Sequence, residues 1–195
     1  MLPEPVLSVL TGPWGLAVMA ALVLGDAFLV VVPGEIAVTA LGALALPHGA
    51  GRLAAVIAVA AGAAWLGDVA CYLLGRLAGV DRWRWMRAAR VRAALAWAHA
   101  RLERGAATVL FTARFVPFAR LAVNLVAGVA RMHPARYLAL AGAAALGWAS
   151  YQAAIGAVVA AVVPGGPVPA ILVSVAVAVG IGLLLDLALR RRTPL

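Results

Sequence analysis

Two arginines, Arg114 and Arg120, lie in a segment that is otherwise almost entirely apolar (113–128, ARFVPFARLAVNLVAG). They flank Pro117 by three residues on each side, and a turn at this proline can bring the two side chains together. Two guanidinium groups offer fixed N–H donors that suit a phosphate or a carboxylate. Because intramembrane charges usually serve function, we take ligand binding or transport as their leading role. The alternatives are an Arg114 that extends to the membrane interface and a structural pair with an acid.

Two carboxylic acids, Asp26 and Glu35, lie nine residues apart around the sequence VVPGE. Glu35 follows the helix-breaking Pro33 almost directly, where freed backbone groups and water are expected. A carboxyl group that is removed from water favours its neutral form and can carry a proton. The alternative, which is compatible with this role, is a counter-ion for one of the arginines. Asp26 can instead cap a helix at the membrane interface.

Further residues are expected to support this site. Asp68 lies in GDVACYLLGRLAG (67–79) and can pair with an arginine, and Asn124 follows Arg120 by four residues. We count Asp68, Asn124, Pro33 and Pro117 as supporting residues. The three histidines lack the spacing of metal ligands, and no catalytic triad, phosphate-binding loop or dinucleotide fingerprint occurs at a usable position. The sequence therefore predicts no metal, no cofactor and no enzyme.

The composition indicates the medium in which these residues act. The chain has 195 residues, of which 66% are hydrophobic, and a net charge of +9; its mean hydropathy is +1.04. No soluble domain of this size buries so much apolar surface, so we predict an all-α integral membrane protein with a single membrane domain (1–195). The single Cys71 excludes an internal disulfide, and the first residues lack the basic region of a cleaved signal peptide.

The apolar stretches differ in length. Four are long enough to cross a bilayer, at residues 6–25, 53–74, 137–163 and 168–185. Residues 26–47 and 105–132 instead hold proline and charge near the middle, and a charge at the bilayer centre costs about 2.5–3.5 kcal/mol. Each half of these two segments is too short to span, so we predict two re-entrant helical hairpins.

The arginines predict the orientation. Eight lie between positions 76 and 104, and three more at 190–192, which places both regions in the cytoplasm. A hairpin at 105–132 followed by a transmembrane hairpin at 137–189 satisfies both placements, and hairpin 26–47 then enters from the opposite side. Broken helices that enter from opposite sides of a membrane are a common way to form a transport site near the bilayer midplane. Segment 76–104, with tryptophans among its arginines, is predicted to lie in the inner headgroup layer rather than to bind nucleic acid.

Three ordered motifs resemble those of the DedA family, also called the VTT or SNARE-associated group. FTARFVPFARLAVNLVAGVARM (111–132) is similar to its R-F-x-P-x-x-R…A-G…M signature, DAFLVVVPGE (26–35) to its acidic element, and GDVACYLLGRLAG to its G-D-x-x-x-Y-x-x-G-R-x-x-G segment. The resemblance covers roughly residues 20–160. By motif position, Glu35, Arg114 and Arg120 correspond to essential charges of the family. Asp26 stands where the family usually has glutamate.

This resemblance implies two opposed re-entrant hairpins in a bacterial cytoplasmic membrane protein that moves lipids. The expected substrate is a phosphate-bearing headgroup, such as undecaprenyl phosphate or a phospholipid, with dependence on the proton-motive force. Arg114, Arg120 and Glu35 are expected to contact the headgroup, and Glu35 and Asp26 to exchange protons. The alternatives are a proton-coupled transporter of a small ion or cationic solute, and a scaffold whose charges hold the hairpins together. A homo-oligomer is compatible with either function.

Overall fold

The computed structural model describes residues 12–29, 34–45, 49–78, 89–115 and 119–163, with isolated residues at 169, 172–173, 176–177 and 180. Its helices are α1 (Pro13–Asp26), α2 (Gly34–Ala45), α3 (Ala50–Ala78), α4 (Ala89–Thr112), α5 (Ala119–Val129) and α6 (Pro134–Val162). A 3₁₀ turn, Ala113–Phe115, follows α4 directly. The described part of the chain contains no strand, which confirms the all-α prediction for these residues.

Within the described residues, two helices have the length and composition needed to cross a membrane, Ala50–Leu77 within α3 and Pro134–Val162 in α6. They coincide with the predicted spans 53–74 and 137–163. Helices α1, α2 and α5 are apolar but shorter, with 14, 12 and 11 residues. A helix rises about 1.5 Å per residue and the bilayer core is about 30 Å thick, so α2 and α5 are too short to span alone.

The two predicted helix breaks are present. Helix α1 ends at Asp26 and α2 begins at Gly34, while the 3₁₀ turn ends at Phe115 and α5 begins at Ala119. Pro33 and Pro117, which we expected to cause these breaks, lie outside the described residues, as do the arginines at 190–192, the first residues (6–11) of the predicted span 6–25 and most of the predicted span 168–185. Residues 13–25 of the first span lie in α1. The re-entrant path of the two hairpins stays a prediction.

Helix α4 joins two regions that the sequence separated. It bends at Gly105, whose φ of −165° and ψ of 52° are not helical. The predicted interfacial segment 76–104 therefore ends at the bend, and the first half of the predicted hairpin 105–132 continues α4 beyond it. The end of α3, up to Ala78, also belongs to the predicted interfacial segment.

The helices form a reciprocal arrangement. Helices α3 and α6 have the same length of 29 residues, and each follows a short helix. The most extensive packing of α2 is against α6, and that of α5 is against α3. Each short helix therefore crosses the long helix that belongs to the other short–long pair.

Glycine allows the close approach at both crossings. A Cβ atom at Gly156 would overlap the backbone of Thr39 in α2, and one at Gly128 would overlap the backbone of Tyr72 in α3. Small residues at such crossings let helix backbones touch within a membrane.

A polar side chain lies one turn before each of these glycines and forms a hydrogen bond across the crossing. Thr39 donates a hydrogen bond to Gln152 Oε1 at 3.3 Å, and Asn124 donates one to Asp68 Oδ1 at 2.8 Å. Gln152 precedes Gly156 by four residues, as Asn124 precedes Gly128. The two crossings are thus built alike, but only the second contains a charge.

The described residues form two clusters of buried apolar side chains. One surrounds Trp148 and joins α1, α2, α3 and α6. The other surrounds Tyr72 and Tyr137 and joins α3, α4, α5 and α6. Arg114 lies over the Trp148 ring of the first cluster, and Tyr137 of the second contacts the Asp68 carbonyl oxygen, so the aromatic core helps to position the charges.

We predict that Gly128→Ala destabilises the protein. The added methyl group overlaps the carbonyl oxygen of Tyr72 and lies 2.7 Å from the backbone nitrogen of Arg76, so α5 must move away from α3. Overpacking of this kind costs about 1–3 kcal/mol. The midpoint of thermal unfolding in detergent measures the effect.

Gly62→Ala is the matched control, because Gly62 is also helical but a Cβ there meets nothing within 4 Å. Alanine is a better helix former than glycine by about 1 kcal/mol, so this variant should be at least as stable as the wild type. Equal midpoints for the two variants would contradict the close crossing.

Candidate functional site

Asp68 lies at the centre of a buried charge cluster, which we define as Asp26, Asp68, Arg114 and Arg120. The Asp68 side chain is only 3% exposed and forms an ion pair with Arg114 Nη2 through Oδ2. Its other oxygen, Oδ1, accepts a hydrogen bond from Asn124 Nδ2 at 2.8 Å and lies 3.9 Å from Arg120 Nε. The carboxylate of α3 therefore joins the 3₁₀ turn to α5.

The two arginines converge on this carboxylate, as a turn at Pro117 was expected to allow. Arg114 lies in the 3₁₀ turn and Arg120 is the second residue of α5, so the break between these elements separates them along the chain. Both nevertheless reach Asp68, one through each carboxylate oxygen. A continuous helix would not place side chains six residues apart on one such group.

Arg120 also forms an ion pair with Asp26, with 3.0 Å between Nη2 and Oδ2. The side chains of this pair are 13% and 16% exposed, whereas Arg114 and Asp68 are 1% and 3% exposed. Asp26 is the last residue of α1, so it does not cap the start of a helix. The cluster thus contains one sealed ion pair and one that is more accessible.

Small side chains hold the end of α1 beside Asp68. A Cβ at Gly67 would lie 2.5 Å from Cβ of Ala27, so glycine at this position lets α1 approach α3. The Cys71 thiol donates a hydrogen bond to the Ala27 carbonyl oxygen at 3.6 Å. A Cβ at Gly34 would lie 3.1 Å from Cβ of Asp26, so the start of α2 also reaches this point.

Tyr137 of α6 completes the surroundings of Asp68. Its hydroxyl lies 2.9 Å from the Asp68 carbonyl oxygen and 3.0 Å from Asn124 Oδ1, and its ring stacks on Tyr72 with 4.1 Å between centroids. The Tyr72 hydroxyl donates to the carbonyl oxygen of Met132 at 2.7 Å and accepts from Arg76 at 2.8 Å. This chain of contacts holds α3, α5 and α6 around the carboxylate.

Arg114 retains an unused donor. Its guanidinium lies over the Trp148 ring, 5.9 Å from the ring centroid, in the position of a cation–π contact. Its Nη1 atom is buried and has no hydrogen-bond partner among the described residues. A buried donor without an acceptor costs about 1–3 kcal/mol, and more when it is charged. An incoming oxyanion that reached Nη1 would remove this cost.

Glu35 lies beside the charge cluster without joining its ion pairs. It is the second residue of α2 and is exposed, and no ion pair within 4.0 Å joins it to an arginine among the described residues. It interacts electrostatically with Asp26 and Arg120, and the Trp148 side chain hydrogen-bonds to it. The counter-ions of the arginines are therefore Asp68 and Asp26, and Glu35 is an additional carboxylate next to them.

The sequence pointed to the charged residues of this site but not to Tyr137 or Gln152. An aromatic or amide side chain within a long apolar helix has no distinguishing pattern, because such residues usually pack in a core or pair with a neighbour. Their roles follow from which helices cross, and this requires the tertiary structure.

Asp68→Ala is expected to be strongly destabilising. The substitution leaves Arg114 buried with no counter-ion, and breaking a buried pair in this way costs about 3–5 kcal/mol. The unfolding midpoint and the fraction of monodisperse protein in detergent report the loss. Asp26→Ala is the matched comparison, since Arg120 is more exposed and stays 3.9 Å from Asp68. If both variants lost the same stability, the distinction between a sealed and an accessible pair would be wrong.

Comparison with known proteins bears on the same region. No curated protein and no solved structure matches the chain. The family model described as the VTT domain matches residues 32–158, which is well over half of the chain and includes Glu35, Asp68 and both arginines. The two membrane-length helices agree with a membrane protein. The chain therefore belongs to the VTT-domain family, the DedA or SNARE-associated group that its motifs indicated.

Proposed function

We propose that this protein is a lipid translocase of the bacterial cytoplasmic membrane. Its substrate is a phosphate-bearing headgroup, such as that of undecaprenyl phosphate or a phospholipid, and the proton-motive force contributes to its movement. The observation that carries this proposal is the convergence of Arg114 and Arg120 on one buried carboxylate. Two guanidiniums that approach one carboxylate, each at a different oxygen, can also reach two oxygens of a phosphate.

The surroundings of the two arginines favour an anion over a neutral ligand. Arg114 has a buried donor without an acceptor among the described residues, and Arg120 lies in the first turn of α5, where the helix N-terminus adds positive potential. A carboxylate and a phosphate offer similar acceptor oxygens, so a headgroup competes with the resident acids for the arginines. The protein thus exchanges one charged partner for another and leaves no arginine unpaired in the apolar interior.

The outer faces of the long helices suit a substrate with acyl or prenyl chains. Large apolar side chains are exposed on α3 and α6, at Leu66, Leu73, Leu74, Leu77, Leu146, Val158 and Val162. In a membrane these positions face lipid tails. In the proposed mechanism the headgroup crosses through the charge cluster while the tails stay in the bilayer. The opposed re-entrant hairpins shorten this path, and the arginine-rich segment 76–104 and the C-terminus lie in the cytoplasm.

One observation favours a second function, a proton-coupled transporter of a small ion or cationic solute. Both arginines already have acidic partners, and Glu35 is an exposed carboxylate outside these pairs. An excess of carboxylates suits a cation better than a phosphate. Solute uptake into proteoliposomes without any lipid movement would favour this second function.

We expect Arg114→Ala and Arg120→Ala to reduce lipid movement at least tenfold. A hydrogen bond to a charged group contributes about 1.5–3 kcal/mol, and about 1.4 kcal/mol corresponds to a factor of ten. Lysine at either position should be partly active, because it keeps the charge but loses the planar pair of donors. The measurement is the rate at which a headgroup-labelled phospholipid becomes accessible to a membrane-impermeant quencher in proteoliposomes.

Arg136→Ala is the matched control, since Arg136 is an exposed arginine near the start of α6 and lies outside the charge cluster. It should move lipid at the wild-type rate. Size-exclusion profiles establish that each variant is folded. Wild-type rates in both Arg114→Ala and Arg120→Ala would rule out the proposed function.

A further inference from the structure

The two ion pairs of the charge cluster are not equally able to open. Asp68 has three partners, since Arg114, Asn124 and Arg120 all contact its carboxylate. Asp26 has a single hydrogen-bond partner in Arg120 among the described residues, at 3.0 Å. The Asp26 pair is also the more exposed of the two. An incoming anion therefore meets less competition at Arg120 than at Arg114.

The helix ends add to this difference. Asp26 ends α1, where the carbonyl groups of the last turn present partial negative charge. Arg120 lies at the start of α5, where the backbone N–H groups present partial positive charge. The helix start beside Arg120 therefore favours an anion. Asp26 lies between the end of α1, which disfavours its negative charge, and the start of α2, which favours it. Because Asp26 has fewer partners among the described residues and is more exposed than Asp68, its charge is the easier of the two to remove.

The charges in this region limit how an anion can enter. The ionisable groups around Asp26 are Glu35 of α2, Asp68 and Cys71 of α3, Arg120 of α5 and, beyond Asp68, Arg114 of the 3₁₀ turn. Three carboxylates thus face two guanidiniums. An added phosphate raises the excess of negative charge unless a proton enters with it.

We propose that a phosphate group takes Arg120 from Asp26, and that the released Asp26 carboxylate binds one proton while the Asp68–Arg114 pair stays closed. This inference rests on the proposed function, and it assigns the proton that accompanies transport to Asp26. The proton comes from water and forms an O–H bond on Asp26, while the phosphate keeps its own charge. One negative and one positive charge enter together, so the net charge of the site does not change.

Proton uptake on ligand binding tests this exchange. The full-length protein in dodecyl maltoside is titrated calorimetrically with dimethyl phosphate and with dioctanoyl phosphatidylglycerol, two diesters of fixed charge. Titrations in buffers of different ionisation enthalpy give the number of protons taken up per ligand. The wild type should take up about one proton per bound diester. Its affinity for the diester should rise about tenfold per pH unit as the pH falls through the range in which Asp26 of the unliganded protein is charged.

Two carboxamide variants assign the proton. Asp26→Asn should bind the same diesters with no proton uptake and no pH dependence, and more tightly than the wild type at pH values where Asp26 is charged. Glu35→Gln is the matched control and should still take up about one proton. Proton uptake that persists in Asp26→Asn, or that disappears in Glu35→Gln, would overturn the assignment.

Infrared difference spectra of the wild type test the same step without a substitution. Ligand binding should convert one carboxylate band into a carboxylic acid band, and an unchanged carboxylate region would overturn the exchange even if Asp26→Asn failed to fold. The absence of binding by both diesters would overturn it as well. Binding of dimethyl phosphate would show that a phosphate group without acyl chains suffices. Binding of the phosphatidylglycerol but not of dimethyl phosphate would show that the acyl chains are needed. Either result supports the exchange when a proton is taken up.

The lipid-movement assay separates this inference from the proposed function. Lipid movement by a wild type that takes up no proton would refute the exchange and leave the translocase intact. Diester binding with proton uptake but no lipid movement would refute the translocase and leave the exchange intact.

Discussion

The ion pair between Asp68 and Arg114 is the interaction on which the arrangement of helices depends. Both side chains are almost completely buried in a protein whose interior and surroundings are apolar, so neither charge can be left without the other. The pair fixes the 3₁₀ turn against the middle of α3. Asn124 and Tyr137 then bring α5 and α6 to the same point, because they supply the polar contacts that the carboxylate and its backbone require. A broken helix is tolerated here because protein surrounds it.

The second crossing of the reciprocal arrangement carries charge and the first does not. In the first crossing, Gln152 lies one turn before the glycine and pairs with Thr39, the residue that the glycine contacts. In the second, Asn124 lies one turn before the glycine and pairs with Asp68, which lies one turn before the contacted Tyr72. A neutral hydrogen bond can open at modest cost, whereas a buried charge must keep a partner. The shared architecture therefore provides two close helix crossings, and the chemistry of the site belongs to one of them.

The region that matches the VTT-domain family model contains most of the charge cluster. The family match begins at residue 32, just before α2, and contains both arginines and Asp68. Asp26 lies before it, at the end of α1, and reaches Arg120 across the packed helices. The most accessible acid of the cluster thus comes from a helix outside the matched region. The ion pair of Asp26 with Arg120 therefore links α1 to α5, in addition to the packing of α1 against α3.

The sequence by itself determined the helices, their breaks and the residue types of the site. Hydropathy and proline act on the nearest few residues, so the spans and interruptions could be read along the chain. The pairing of the charges could not, since Asp68 and Arg114 lie 46 positions apart and Asp26 and Arg120 lie 94 apart. The sequence suggested Glu35 as a counter-ion of the arginines, but the packing of α3 against both α1 and α5 placed two other carboxylates nearer. Which acid meets which arginine depends on the close helix crossings, and only the tertiary structure decided it.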